Sequence, residues 1–124
     1  MEMKIEVVML PVTDIEASIK FYERTLGFHL DHDVQPAEGM RVVQLTPPGS
    51  GCSVVFGTGI GELAAPGSVK NTHLVVEDIQ EAVEALKANG LEISDITDMG
   101  GVKYAFFADP SGNTWSLQEK YKQR

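Results

Sequence analysis

Hydrophobic and polar residues along the first half of the chain follow a pattern that predicts a strand, a helix and three further strands. Asp14 is a residue type favoured at helix N-caps, and Ile15, Ile19 and Tyr22 follow it at helical spacing, with Gly27 as the predicted end. The strands are indicated by aliphatic and β-branched runs that stop at turn-forming residues. The predicted ranges are 4–12 for the first strand, about 15–25 for the helix, and 28–34, 40–46 and 52–57 for the other strands, with breaks at 35–39 and 47–51.

The same order recurs in the second half. Asp78 precedes a second apolar stripe that ends at Gly90, and strands are predicted over 72–76, 91–96, 102–108 and 114–119. Asp14 and Asp78 stand 64 positions apart, and the residues around them match at the same offset. This internal repeat predicts two βαβββ modules, of about residues 1–57 and 71–124, joined by a glycine-rich linker over about 58–70.

The composition agrees with one α+β domain. A chain of 124 residues that is 43% hydrophobic can bury one core, whereas half of it cannot do so alone. The lone Cys52 excludes an internal disulfide and, with no signal peptide or long apolar run, leads us to expect a cytoplasmic protein. The net charge of −8 argues against nucleic acid and anionic membranes as partners.

Two motifs resemble signatures of the vicinal oxygen chelate superfamily, which includes glyoxalase I, bleomycin-resistance proteins, fosfomycin-resistance enzymes and extradiol dioxygenases. The first is VTDIEASIKFY at 12–22 with LGF at 26–28, and the second is ADPSGNTWSLQ at 108–118. The resemblance covers nearly the whole chain. It implies that the modules form a curved mixed sheet with helices on the outer face and a concave cleft. It also implies a homodimer in which the partner chain completes that cleft.

In metal-using members of the superfamily, four cleft side chains hold a divalent ion. The resemblance places these positions at Val7, Val55, Asn71 and Ser116. Two valines offer no ligand atom, and a neutral amide and a hydroxyl are weak ligands for divalent ions. We therefore expect no metal cofactor.

Strand alternation sorts the remaining positions between two faces of each sheet. The predicted core positions beneath the helices are Val8, Leu10, Val54, Phe56, Leu74, Val76, Trp115 and Leu117, and we expect the Trp115 indole to find a hydrogen-bond partner. The predicted ligand-binding cleft consists of Val7, Met9, Ser53, Val55, Asn71, His73, Thr114, Ser116 and Gln118. The same alternation puts His29 and His32 on opposite faces, so that they cannot share an ion.

His73 is the imidazole predicted to face the cleft, where it can serve as an acid or base near neutral pH. The alternative is a strand histidine that is hydrogen-bonded to a neighbour. The first functional hypothesis is a metal-free protein that binds a small molecule, with the negative charge favouring a cationic guest. The second is a divergent enzyme, of the glyoxalase-like lyase or isomerase type or of the dioxygenase type, that uses His73 or a non-standard metal site. A cleft that docks another protein segment is a third.

Overall fold

The structure is a computed structural model that describes residues 1–121, so the last three residues of the expected second module lie outside it. Two short α-helices are present, α1 (Ile15–Lys20) and α2 (Ile79–Ala88), and α1 continues into a π-helical segment, Phe21–Thr25. The strands are β1 (Val7–Met9), β2 (His29–Ala37), β3 (Met40–Thr46), β4 (Ser53–Thr58), β5 (Thr72–Val76), β6 (Thr97–Met99), β7 (Val102–Ala108) and β8 (Thr114–Glu119).

The eight strands form two four-stranded sheets of identical topology. The strand order is β1-β4-β3-β2 in the first sheet and β5-β8-β7-β6 in the second. In each, the strand before the helix pairs in parallel with the last strand of its half, and the other pairs are antiparallel. The predicted α+β fold of two βαβββ modules is confirmed. The ladders differ from the prediction in forming two sheets, one per module, where one curved sheet was expected.

The repeat extends to backbone geometry. Asp14 and Asp78 adopt the same extended conformation, with φ of −127° at each, and each carboxylate accepts a hydrogen bond from the amide three residues on. The parallel ladders also correspond, because Val8 pairs with Val54 in the first sheet and Thr72 pairs with Trp115 in the second. Both helices therefore begin by the same N-cap interaction and leave the same edge of their sheets.

One hydrophobic core joins the two sheets. All eight predicted core positions belong to it or pack against it, which confirms that part of the alternation. Tyr22, in the π-helical segment, is fully buried and its ring contacts Phe28 and Phe56 of the first half and Trp115 of the second. The helical side of each sheet, expected on the outside from the resemblance, thus faces the same core. From here on, the outer face of a sheet is its opposite side, away from the helices and the core.

A buried hydrogen-bond network ties the halves together. The Asp109 carboxylate accepts hydrogen bonds from the Tyr22 hydroxyl at 2.7 Å, from Asn113 Nδ2 at 2.9 Å and from two backbone amides of its own turn. Asn113 Nδ2 also donates to the carbonyl oxygen of Pro11, and Trp115 Nε1 donates to the Tyr22 hydroxyl at 3.0 Å. The predicted partner of the indole is therefore confirmed. Burial and the neighbouring Asp109 charge raise the pKa of Tyr22 well above its ordinary value, so the phenol stays protonated.

Several predicted boundaries were wrong. The first strand is limited to Val7–Met9 because only these residues pair with β4, and Pro11 has no amide hydrogen to continue the ladder. The first helix does cover its predicted range of 15–25, but it changes to π geometry at Phe21, where the amide of Leu26 bonds to the carbonyl five residues earlier. β4 runs one residue beyond its predicted end, to Thr58.

The predicted break at 35–39 was also wrong, because β2 continues to Ala37. Pro36 is accommodated at an irregularity of this edge strand, and Ala37 pairs with Met40 around a tight turn that contains Gly39 at φ 73°. The strand predicted over 91–96 is not formed. Leu91 is buried in the core and that segment meets β7 mainly through Ser94, so regular pairing starts only at Thr97.

Candidate functional site on the outer faces

The predicted cleft residues are divided between the two outer faces. Four lie in the first sheet (Val7, Met9, Ser53, Val55), and five lie on or beside strands of the second (Asn71, His73, Thr114, Ser116, Gln118). Across residues 1–121, no hydrogen bond or ring contact recorded in the structure joins the two groups. Because both sheets turn their other side to one core, the two groups face away from each other. A cleft lined by all nine residues is therefore not formed within one chain.

The outer face of the first sheet carries a polar cluster around Ser53. The Ser53 hydroxyl lies 2.6 Å from Thr46 Oγ1 and 3.4 Å from Gln44 Nε2, and both neighbours also contact the Asp31 carboxylate. His32 bonds to Gln44 Oε1 at 3.3 Å. This cluster presents hydroxyl, amide, imidazole and carboxylate groups on one surface.

A β-bulge builds this cluster. The register of β2 against β3 shifts between Leu30 and His32, which leaves Asp31 as the extra residue. His29 then pairs with Thr46 and His32 with Gln44, and Thr46 and Gln44 lie on one face. The prediction that His29 and His32 are on opposite faces was wrong, because it assumed an unbroken alternation across Asp31.

Asp31 is held as an anion. Its carboxylate accepts a short hydrogen bond from the Thr46 hydroxyl, and His29 Nδ1 lies 3.0 Å from its other oxygen. These contacts, that of Thr46 first, lower the pKa of Asp31 below its ordinary range. The first outer face therefore carries a fixed negative charge near neutral pH.

The outer face of the second sheet is aromatic. The Tyr104 and Phe106 rings on β7 lie parallel, 8° apart in tilt and 6.3 Å between centroids, and Phe106 is 39% exposed. His73, on β5, sets its ring edge-on to Tyr104 at 5.9 Å, and its Nδ1 lies 2.8 Å from Gln118 Oε1. The predicted hydrogen-bonded state of His73 is present. Its role as a catalytic or ligand-binding group stays a prediction.

The direction of the Asn71 side chain was predicted from strand alternation, but Asn71 lies outside the strand. Its φ of 59° is in the left-handed region that asparagine tolerates better than most residues, and it directly precedes β5. Its amide donates to Thr114 Oγ1 at 2.9 Å. The backbone turn is a sufficient reason for asparagine at this position.

The four positions that the resemblance assigns to metal ligands carry side chains that do not fit a divalent ion. Val7 and Val55 lie on adjacent strands of the first outer face, where they present only methyl groups. Ser116, 3% exposed, lies in the other sheet, and the exposed Asn71 directly precedes the first strand of that sheet. Within residues 1–121, no three His, Cys, Asp or Glu side chains form a group that could hold a metal ion.

Sequence reasoning missed the polar and aromatic residues that dominate the outer faces. These are Asp31, Gln44, Thr46, Tyr104 and Phe106. Tyr104 and Phe106 could have been found by extending the alternation to β7 through its pairing with Gln118 and Ser116. Asp31 could not, because nothing in the local sequence indicates the bulge.

An apolar pocket lies on another part of the molecule. It has a volume of about 310 Å³ and opens between the turn at Pro47 and Pro48 and the residues Leu74, Ala82 and Leu86, on the helical side of the second sheet. This volume is at the lower limit of small-molecule sites. Residues of both halves line it, most of them only partly buried, and it contains none of the predicted cleft residues.

In the described part of the chain, neither helix has the length and apolar character that crossing a membrane requires.

Comparison with known proteins agrees with this architecture. In solved structures, an antibiotic binding protein, TnmS3 from Streptomyces sp. CB03234, is 28% identical, with a TM-score of 0.85 over 97% of this chain and 98% of that one. A superfamily member from Sphaerobacter thermophilus DSM 20745 is 29% identical, with a TM-score of 0.80 over 96% and 98%. A glyoxylase-like domain-containing protein from Didymella fabae is 28% identical over 87% of each chain. A family model described as Glyoxalase/Bleomycin resistance protein/Dioxygenase superfamily matches residues 4–117, and the chain belongs to that superfamily.

Proposed function

We propose that this protein binds a small molecule on its outer sheet faces without the divalent metal of the metal-using members of its superfamily. The observation that carries the proposal is the presence of Val7 and Val55 at two of the four ligand positions. Methyl groups cannot coordinate a cation, and the hydroxyl and amide at the other two positions are too weak to replace them. An apolar surface with a few fixed polar groups is instead typical of small-molecule sites.

A structural relative supports the same function. The Streptomyces protein named as antibiotic binding matches nearly the full length of both chains at a TM-score of 0.85. Since one fold can host several functions, this likeness has weight only together with the outer-face residues. Both faces combine apolar side chains with hydrogen-bonding groups, as binding of an amphipathic molecule requires.

Two chains are needed to bring the two faces together, and we propose a homodimer. The polar face of one chain and the aromatic face of another can then line one cleft, whereas within a single chain these faces are separated by the core. Each face has exposed apolar side chains that a partner chain can cover, Val7 on the first face and Val75 and Phe106 on the second. Sedimentation analysis should give the mass of two chains, and a chain that stays monomeric at high concentration contradicts this arrangement.

Metal removal is expected to leave ligand binding unchanged. The purified protein should contain zinc, nickel, iron and manganese only well below one ion per chain when it is measured by mass spectrometry. Calorimetric titration with a panel of cationic and neutral drug-like molecules should give the same affinities before and after dialysis against a chelator. Cationic members should bind more weakly as salt is raised, because the net charge of −8 attracts them.

A stoichiometric metal ion whose removal abolishes binding would overturn the metal-free site. Failure of every panel member to bind at low ionic strength would overturn small-molecule binding itself. Both results can be obtained without knowing the natural ligand.

The second candidate is an enzyme of the lyase or isomerase type, and the orientation of His73 favours it. Gln118 holds one ring nitrogen at 2.8 Å, which is how a general base is commonly fixed in place. For any substrate found, His73→Ala should lower kcat by at least about a hundredfold, the usual contribution of a general base. Unchanged kcat in that variant would exclude His73 as the base.

A further inference from the structure

The outer face of the second sheet carries no Asp, Glu, Lys or Arg side chain among the described residues. This is unusual for an exposed surface of a chain that is 23% charged. Its side chains are instead aromatic, aliphatic, hydroxyl, amide and imidazole, at Thr97, Met99, Val102, Tyr104, Phe106, His73, Val75, Thr114, Ser116 and Gln118. The affinity of a ligand for this face comes from contact area and hydrogen bonds, because the described residues of the face carry no formal charge that would attract a charged ligand.

Two rings form the centre of this face. Tyr104 and Phe106 stand two residues apart on β7, and β-strand alternation directs both away from the core, where Ala105 and Phe107 are buried. Their planes differ by only 8°. The two rings therefore share one orientation on the sheet, and a flat aromatic partner can align with both planes better than a globular aliphatic one.

The hydrogen-bonding group beside the rings has a defined polarity. The amide oxygen of Gln118 is an acceptor, so the contact at 2.8 Å assigns the hydrogen of a neutral His73 ring to Nδ1. The other ring nitrogen, Nε2, is then an acceptor. The imidazole centroid lies 5.9 Å from that of Tyr104, so this acceptor is close to an N–H or O–H group of a ligand that contacts the Tyr104 ring.

We propose that this face binds the planar aromatic part of the ligand, with Phe106 and Tyr104 as stacking surfaces and His73 accepting a hydrogen bond from a ligand N–H or O–H. The inference rests on the proposed function and adds the class of ligand to it. The occupant is a planar aromatic compound that has a hydrogen-bond donor on its rim.

The test compares two neutral tricyclic probes of similar size. Acridone is planar, aromatic and fluorescent and has an N–H donor, whereas adamantane-1-carboxamide is saturated and also has an N–H donor. Titration of the full chain should show that acridone binds at least tenfold more tightly. Phe106→Leu and Tyr104→Leu should each weaken acridone binding about fivefold, as expected for loss of one stacking contact, and leave the saturated probe within twofold.

Matched variants separate stacking from damage to the fold. Phe106→Tyr and Tyr104→Phe keep the rings and should retain acridone binding. Tyr121→Leu makes the same change at an exposed tyrosine beyond β8 and should also leave binding intact. Loss of binding in the ring-retaining variants would overturn the stacking role.

The outcomes distinguish this inference from the proposed function. Acridone binding that survives both leucine variants, or tighter binding of the saturated probe, overturns the aromatic assignment and leaves small-molecule binding standing. A leucine variant that halves the sedimenting mass without changing the affinity of the folded chain places the rings in a contact between chains, which overturns the assignment as well. If no probe and no member of the drug panel binds, the proposed function fails.

Discussion

Replacing Asp109 with alanine is expected to lower the free energy of unfolding by about 3 kcal/mol or more. The carboxylate is 5% exposed and accepts four hydrogen bonds, two of them from the side chains of Tyr22 and Asn113. Each buried donor left without its acceptor costs about 1–3 kcal/mol. The loss is a large fraction of the total stability of a domain of this size, which is about 5–15 kcal/mol.

Urea unfolding followed by circular dichroism measures this effect. Asp109→Asn keeps the shape and one acceptor oxygen, so it should cost about half as much. Asp95→Ala, at an exposed aspartate, should change the stability by less than about 0.5 kcal/mol. Equal small losses in all three variants would show that the network does not join the two halves.

The second large effect is expected for Trp115→Ala, which should lower the free energy of unfolding by about 3–5 kcal/mol. The indole is 2% exposed, lies parallel to Phe107 at 6.3 Å and meets Tyr22 and Phe28 edge-on. Its removal leaves a cavity where the second sheet packs against the first half. Trp115→Phe keeps a ring and should cost about half as much.

The same variant tests the division between core and outer faces. Trp115 and Ser116 are neighbours in sequence on opposite sides of β8, so Trp115→Ala should lower stability and leave the ligand affinity of the folded protein unchanged. Thermal and urea unfolding give the first quantity, and titration below the unfolding transition gives the second. A specific loss of affinity without loss of stability would place Trp115 in the binding site.

The sequence was sufficient for the fold because the same signals occur twice. Asp14 and Asp78 mark equivalent helix starts, and the aliphatic alternation on β4, β5 and β8 separates the core side from the outer side at every predicted core position. Local rules suffice at these places because burial of one face fixes the register.

The sequence was insufficient where tertiary pairing decides the conformation. The bulge at Asp31 reverses the expected direction of His32, and the segment 91–96 uses its apolar residues for the core without regular pairing. The arrangement of the predicted cleft, which stays a prediction, could not be derived from the sequence for a related reason. Alternation tells which face a residue is on, whereas only the contact of Tyr22 with both sheets shows that the two outer faces point apart.

The candidate site therefore stays a prediction, and the structure adds residues to it. Val7, Val55 and Ser116 stand on the outer faces, and nothing at these positions supplies strong ligand atoms. The flat aromatic surface of Tyr104 and Phe106 and the anionic cluster at Asp31 emerge from strand pairing. The class of the proposed ligand is inferred from the chemistry of these side chains and not from that of a metal.

The most direct test of metal-free binding on the outer faces is a two-dimensional amide NMR titration of chelator-treated protein with acridone. Metal-free binding on the second outer face should give shifts that saturate with the ligand and cluster at His73, Tyr104, Phe106 and Gln118. Shifts that cluster instead at Leu26, Leu74, Ala82 and Leu86 would place the ligand in the apolar pocket between the two halves. Shifts that appear only after a divalent metal is added back would contradict the account outright.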